Sequence, residues 1–166
     1  MKRFEVTDDS GFLAIVDPDA YEGFVGEDWE HEQLLERFRS QMAARRLLIW
    51  GTGSEDTWRV EVRSPGERPA GFRQATGPIS STRGRLLLTS YDSLSMAAQF
   101  ADVSLPQAHE RELLLEVEPG TYRCRITQLR DPDDFDASPG PCDFVVELEP
   151  GGAPDPAWQE IPWSLP

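Results

Sequence analysis

"LLIWGTGSEDTWRVEV" (residues 47–62) places a Gly-Thr-Gly triplet directly after four apolar residues. A phosphate-binding loop needs a helix N-terminus after its glycines, because the first helix amides bind the anion. From Trp58 to Val62, apolar and charged residues alternate instead, which is the period of a β-strand. Glu55 and Asp56 would also repel a phosphate group. The stretch therefore predicts two strands joined by a loop, and it does not predict a nucleotide site.

Several other segments have the composition of strands. Residues 12–17 predict a strand of apolar residues that is ended by Asp17 and Pro18, and residues 85–90, with three consecutive leucines, predict a strand covered on both faces. Residues 142–150 alternate, which predicts a strand whose outward Glu147 and Glu149 face the arginines of the preceding strand. A further short strand is expected near Phe72.

The Pro-Gly pair at 119–120 predicts a type II turn and a β-hairpin over residues 110–129. Both flanking segments alternate under a single register, and cross-strand pairs of this kind stabilise a hairpin. That register sets the following residues opposite one another: Val117 and Tyr122, Leu115 and Cys124, Leu113 and Ile126 on one face, and Glu116 and Arg123, Leu114 and Arg125 on the other.

Helical spacing appears in two places. Residues 29–46 carry an apolar stripe every three or four positions, with Asp28 as the expected N-cap and arginines at the end. Residues 91–100 predict a short second helix. Together these elements predict one α+β, β-rich domain over residues 1–166, an antiparallel sandwich or partly open barrel of about seven strands with one long and one short helix. The segment 150–166 is expected to pack on that domain, because a disordered linker seldom carries two tryptophans.

Composition limits the class of partner. The net charge is −14, whereas binding to nucleic acid or to an anionic membrane relies on lysine and arginine. A basic protein partner is compatible with this charge. We find no signal peptide and no apolar run of membrane-spanning length, so a cytoplasmic location is expected. The absence of asparagine and the single lysine suggest a GC-rich, bacterial genome.

No cofactor or metal is predicted. Cys124 and Cys142 are expected to be free thiols, the first buried and the second exposed. The aspartates of 130–140 do not fit a calcium loop, since Pro139 and Val145 stand where glycine and glutamate are needed. The two histidines belong to no metal or catalytic motif, and no catalytic residue is assigned.

Two sets of residues are candidates for a functional site. The first is acidic and would contact a basic partner: Asp131, Asp133, Asp134 and Asp136 of the aspartate-rich loop, with Glu27, Asp28 and Glu30 at the helix start. The second would line a pocket in a small-ligand-binding or enzymatic β-sandwich: Trp29, Trp50, Trp58, Tyr91 and His109. An aromatic residue at these spacings is more often part of a core than of a ligand site.

The order of elements resembles one known family. "EDWEHEQLLERF", then paired strands, "ATGPISS" and "LEVEPGTYRCRI" together resemble the layout of the competence-associated DNA-entry-nuclease inhibitors over residues 27–128. The resemblance implies a β-sandwich-like, acidic cytosolic protein that binds and silences a nuclease. It identifies no binding residue. We therefore hypothesise a non-enzymatic acidic protein-binding module, such as an inhibitor or immunity protein for a bacterial nuclease or toxin, and leave its oligomeric state open.

Overall fold

Nine strands form two sheets in the computed structural model, which describes residues 1–67, 70–136, 140–151 and 155–164. The five-stranded sheet has the order β1 (Lys2–Asp8), β4 (Asp56–Arg63), β9 (Phe144–Pro150), β8 (Gly120–Gln128) and β5 (Arg73–Ser81). The four-stranded sheet has the order β3 (Leu47–Gly51), β2 (Phe12–Val16), β6 (Arg85–Ser90) and β7 (Leu114–Glu116). The helices are α1 (His31–Ala43), α2 (Tyr91–Gln99) and a 3₁₀ helix, η1 (Ala108–Leu113).

The two sheets confirm the predicted β-rich α+β fold, and the described strands close no barrel. Neighbouring strands are antiparallel with one exception, since β4 and β9 are parallel, with Val60 opposite Phe144. The expected short strand near Phe72 is the nine-residue β5, and the strand β1 was not predicted. Arg125 of β8 does contact Glu147 of β9 at 2.5 Å, as the alternation predicted, although Glu147 is buried.

The molecule has two apolar layers. One lies between the sheets and contains Trp50, Trp58 and Phe144, and the other lies between the four-stranded sheet and the helices α1 and α2. Strands β2, β3 and β6 of the four-stranded sheet, which lies between the two layers, contribute alternate residues to both of them, since Leu13 packs in the first layer and Ala14 in the second. Burial on both faces explains the continuous apolar runs in these three strands, which include residues 86–88 of β6.

The hairpin predicted over residues 110–129 is wrong. β7 pairs with β6, and β8 pairs with β5 and β9, so the Pro-Gly turn leads the chain from one sheet to the other. Neither the Val117–Tyr122 pair nor the rest of the predicted register forms. Two strands that face one core from opposite sheets alternate just as the strands of a hairpin do, and periodicity alone cannot separate the two arrangements.

Both predicted helices form, with corrected ends. Helix α1 begins at His31, where Glu30 is the N-cap and forms a capping box with Gln33, so the expected cap at Asp28 is wrong. It ends at Ala43, because Arg45 has a positive φ of 61° that stops the helix. None of the helices in the described ranges combines the length and apolar content needed to cross a membrane.

Both cysteines are free and buried, which confirms the expectation for Cys124 and corrects the one for Cys142. Cys142 precedes β9, and 5% of its surface is exposed. Burial raises the pKa of the Cys124 thiol and is also the largest cause of the raised pKa of Cys142. A raised pKa leaves little thiolate near neutral pH, and the thiolate is the reactive form.

We therefore expect both thiols of the folded protein to resist DTNB at about pH 8 and to react promptly in guanidinium chloride. Rapid native-state reaction of one thiol would contradict the burial of that cysteine. Cys142→Ser and Cys124→Ser variants identify which thiol reacts.

Candidate functional site

Three strand connections and the start of α2 meet at one end of the sandwich. Asp8 at the end of β1 lies opposite Asp56 at the start of β4, and Gln128 at the end of β8 lies opposite Phe144 at the start of β9. We call this surface the acidic end. Its exposed or half-buried carboxylates are Asp9, Glu55, Asp56, Asp92, Asp131, Asp133, Asp134 and Asp136.

The buried carboxylate of Asp8 organises the acidic end. Its Oδ1 accepts hydrogen bonds from three backbone amides of the β1–β2 turn, at 2.9, 2.7 and 3.0 Å. Its Oδ2 accepts a hydrogen bond from the Trp58 indole at 3.1 Å and one from the Thr52 hydroxyl at 2.9 Å. One side chain, 1% exposed, thus joins the β1–β2 turn, the β3–β4 loop and β4.

The glycines of the Gly-Thr-Gly triplet serve packing and turning. The Gly51 amide donates to the Pro162 carbonyl oxygen at 2.9 Å, and a Cβ at Gly51 would lie 2.2 Å from the Trp163 carbonyl oxygen. Gly53 has a φ of +93°, which favours glycine. The Thr52 amide donates to the β1–β2 turn at 2.9 Å. The loop connects two strands, as predicted from the sequence.

The β8–β9 connection presents the aspartates predicted as partner contacts. Asp131 Oδ1 accepts a hydrogen bond from the Asp133 amide at 2.9 Å, and Asp134 Oδ1 accepts one from the Asp136 amide at 3.2 Å. These local bonds fold the loop into successive turns. Asp133, Asp134 and Asp136 are exposed, and Asp131 is half-buried. The loop therefore holds three carboxylates in water, available to a partner.

An aromatic side chain stands in the middle of this acidic loop. Phe135 is 92% exposed, which is unusual for a phenylalanine in a folded domain. Phe72, which directly precedes β5, is 46% exposed. Its amide donates to the carbonyl oxygen of Gln128 at 2.8 Å, at the end of β8 where the loop begins. An exposed aromatic residue surrounded by charges is typical of a protein-binding surface.

Arg73 links the acidic loop to the C-terminal segment. Its Nε donates to Gln128 Oε1 at 2.6 Å, and its guanidinium lies 4.6 Å from the centre of the Trp163 ring. Burial lowers the pKa of Arg73, while the nearby carboxylates of Asp131 and Asp133 oppose that shift. The loop is thus anchored at its base to a cation that also stacks on the tail.

The other candidate partner contacts lie on the helix layer. Glu27, Asp28 and Glu30 are exposed just before α1 and are not part of the aspartate loop. His31, the first residue of α1, lines a cleft of about 140 Å³ with residues of the acidic end, among them Phe12. The helix start therefore lies toward the same end of the molecule, in the neighbouring layer.

The five candidate pocket residues occupy separate places. Trp50 and Trp58 are buried between the sheets, where their rings lie 6.3 and 5.4 Å from that of Phe144. Trp29 is half-buried against the helix layer, and Tyr91 lines the small cleft beside α1. His109 is exposed on η1, in another groove. The structure does not bring these five side chains together around one cavity.

No cluster of three or more histidine, cysteine or carboxylate side chains is arranged for a metal within the described ranges. Pro139, which entered the comparison with a calcium loop, lies outside those ranges.

Asp8 and Phe135 are two residues of the site that were not predicted from the sequence. The alternation of Phe4, Val6 and Asp8 in "KRFEVTD" would have indicated a strand ending in an inward carboxylate. A phenylalanine among four aspartates would have indicated an exposed aromatic residue.

The comparison with known proteins rests on structure. No protein-family model matches the chain, and no curated protein matches its sequence. The structure is similar to that of the protein described as crocagin biosynthetic gene J, with a TM-score of 0.58 and 17% identity, covering 91% of this chain and 96% of the other.

It is also similar to ComJ from Bacillus subtilis, the inhibitor of the DNA-degrading activity of NucA. Here the TM-score is 0.54 at 10% identity, covering 90% of this chain and 96% of ComJ. The resemblance to the DNA-entry-nuclease inhibitors predicted from the sequence is therefore confirmed at the level of the fold.

Proposed function

We propose that the protein is a non-enzymatic inhibitor that binds a basic surface of a bacterial nuclease or toxin through its acidic end. The observation that carries the proposal is Phe135, 92% exposed within a loop whose neighbouring aspartates also lie in water. In protein complexes a central aromatic residue supplies much of the affinity, while the surrounding charges set specificity and association rate.

The charges of the acidic end fit this function. The net charge of the chain is −14, and the carboxylates of three loops are gathered on one surface. Such a surface attracts lysine and arginine, the residues with which a nuclease holds DNA. An inhibitor that covers those residues would compete directly with DNA. The fold shared with ComJ supports this proposal, because ComJ is an inhibitor of a nuclease.

Inhibition is the direct test. The purified chain is titrated into DNA-degradation assays with NucA and with any nuclease encoded beside the gene of this chain, using ComJ as the positive control. We expect stoichiometric loss of DNA degradation for one of these nucleases. Unchanged degradation by all of them, with ComJ active in the same assay, would contradict the proposal.

Salt should slow the association. We expect the association rate constant with the inhibited nuclease to fall about tenfold or more between ~20 and ~150 mM salt, because steering by exposed charges is screened. Stopped-flow fluorescence or surface plasmon resonance measures this rate. An association rate that does not depend on salt would show that the acidic end does not guide binding.

Variants of the aspartate loop separate charge from apolar contact. Phe135→Ser should weaken binding by about 2 kcal/mol, mainly by faster dissociation. A triple variant should mainly slow association, because it removes three charges but keeps the oxygens that form the turns; it combines Asp133→Asn, Asp134→Asn and Asp136→Asn. Combined Glu116→Gln, Glu118→Gln and Glu149→Gln, at the opposite end, is the matched control. If both triple variants slowed association equally, the net charge of the chain and not the aspartate loop would determine the association rate.

A second candidate function follows from the other structural neighbour. The protein described as crocagin biosynthetic gene J shares the fold at somewhat higher similarity. The same acidic end would then bind a basic component of a biosynthetic system. Co-purification of such a component with the chain, together with no effect on any nuclease, would favour this candidate.

A further inference from the structure

The four edge strands of the sandwich are covered to different degrees. The C-terminal segment covers two of them, because the Trp158 indole donates to the Thr76 carbonyl of β5 at 2.8 Å and the Gly51 amide of β3 donates to Pro162. The third, β7, has three residues. The fourth, β1, has seven residues and pairs with β4 alone.

The backbone of β1 has no partner on its outer side. Within the described part of the chain, no backbone or side-chain hydrogen bond beyond the β1–β4 ladder reaches the main chain of residues 2–8. An uncovered strand edge is a template for another strand, and proteins usually shorten or cover such edges. This chain covers β3 and β5 and leaves β1 open.

A groove of about 370 Å³ runs beside the open edge. Its floor and walls come from β1, the start of α2 and η1, and include the β1 residues Glu5, Val6 and Thr7. Glu110 in its wall is buried and bonded to the Thr89 hydroxyl, so it holds η1 in place. One wall of the groove, η1, is therefore tied to β6 through this bond.

The charges of the groove select the occupant. Four exposed or half-buried carboxylates line the groove. Among the described lining residues, His109 is the only one with a basic side chain. The four carboxylates are Glu5, Asp9, Asp92 and Glu112. Lys2 lies at the far end of β1, where its Nζ donates to the Leu114 carbonyl oxygen. A positively charged segment would therefore dock along the second half of β1.

We infer that the β1 edge binds an extended segment of the partner protein, with lysine or arginine at alternate positions, as an added sixth strand of the five-stranded sheet. The added strand pairs its backbone with β1 and directs its basic side chains at the groove carboxylates. This inference rests on the proposed function in assuming a basic protein partner. It adds a binding mode and a second contact surface, continuous with the acidic end at Asp9 and Asp92.

The probe is a synthetic heptapeptide that alternates lysine and valine, added to the full chain labelled with ¹⁵N. We expect chemical-shift changes in β1 and slower hydrogen exchange of its outward amides. A peptide of alternating glutamate and valine, and a lysine peptide with proline in its centre, should bind at least tenfold more weakly. Chemical-shift changes confined to the aspartate loop or to β5 would overturn the inference that the peptide binds at the β1 edge.

Charge variants supply the second readout. Combined Asp9→Asn and Glu112→Gln should weaken peptide binding about threefold to tenfold at low salt, since exposed ion pairs contribute modestly. Combined Glu116→Gln and Glu118→Gln removes the same charge at the opposite end and should leave the affinity unchanged. Equal losses in both variants would overturn the inference. Nuclease inhibition without peptide binding at β1 would overturn the strand addition alone, and peptide binding without inhibition would overturn the proposed function alone.

Discussion

Replacing Asp8 by alanine is expected to lower the free energy of unfolding by about 3–5 kcal/mol. The change leaves the Trp58 indole without its acceptor in a buried site, and three turn amides lose theirs. The Thr52 hydroxyl loses its bond to Asp8 but keeps the Ser54 carbonyl oxygen, at 2.7 Å, as an acceptor. A buried donor without an acceptor costs about 1–3 kcal/mol, and the turn amides regain part of that cost by binding water.

Urea denaturation followed by tryptophan fluorescence measures the effect of the Asp8 variants. Asp8→Asn keeps one oxygen for the turn amides but presents a donor to the Trp58 indole, so its loss should be smaller, about 1–3 kcal/mol. Asp9→Ala, at the exposed neighbouring residue, is the control and should change stability little. A loss below about 1 kcal/mol for Asp8→Ala would mean that the carboxylate does not hold the acidic end together.

Replacing Gly51 by alanine is expected to release the C-terminal segment and to cost about 1–3 kcal/mol. The new Cβ would lie 2.2 Å from the Trp163 carbonyl oxygen, which is closer than two such atoms can approach. Because that oxygen belongs to the backbone, the C-terminal segment itself would have to move away. Moving the segment would break the bond from the Gly51 amide to Pro162 and the stacking of Trp163 on Arg73.

Release of the segment has a direct readout. We expect red-shifted tryptophan emission and faster proteolytic cleavage near Trp158 in Gly51→Ala. Gly26→Ala is the matched control, because a Cβ there meets no atom within 4 Å and the φ of Gly26 is not in the left-handed region. Unchanged cleavage in Gly51→Ala would show that the segment does not depend on this close approach.

The helices and strands whose apolar residues recur at a regular spacing could be predicted from the sequence. Strands β2, β6 and β9 and both helices lie close to their expected ranges, because alternation, continuous apolar runs and helical spacing arise from local burial. Strand β1 was missed, since its charged residues interrupt the apolar ones and its alternation extends over only Phe4, Val6 and Asp8.

The pairing of strands could not be predicted in the same way. The alternation on both sides of the Pro-Gly turn fits a hairpin and also fits two strands in facing sheets, and the structure has the second arrangement. The difference depends on contacts with β5, β6 and β9, which lie far away in the chain. Register and partner choice are therefore tertiary properties that a short segment does not encode.

The part of the candidate site that is a local cluster of acidic residues could be predicted from the sequence. The aspartates of the β8–β9 loop stand out in sequence, and the structure exposes three of them. Their gathering with Asp9, Asp56 and Asp92 depends on the strand order, and so does the function of Asp8 as a shared acceptor. The alternation around Asp8 indicates only an inward carboxylate, whereas its donors in a turn, a loop and a strand come together only in the folded chain.

The position of β9 has a consequence for biosynthesis. β9 (Phe144–Pro150) lies between β4 and β8 in the five-stranded sheet, although it follows both of them in the chain and is synthesised after them. Until it arrives, two inner strand edges stay uncovered, and non-local pairing of this kind is slow. A nascent chain that still lacks β9 should thus have an incomplete five-stranded sheet and be prone to aggregation, so that the two sheets and the acidic end form together only after β9 has been synthesised.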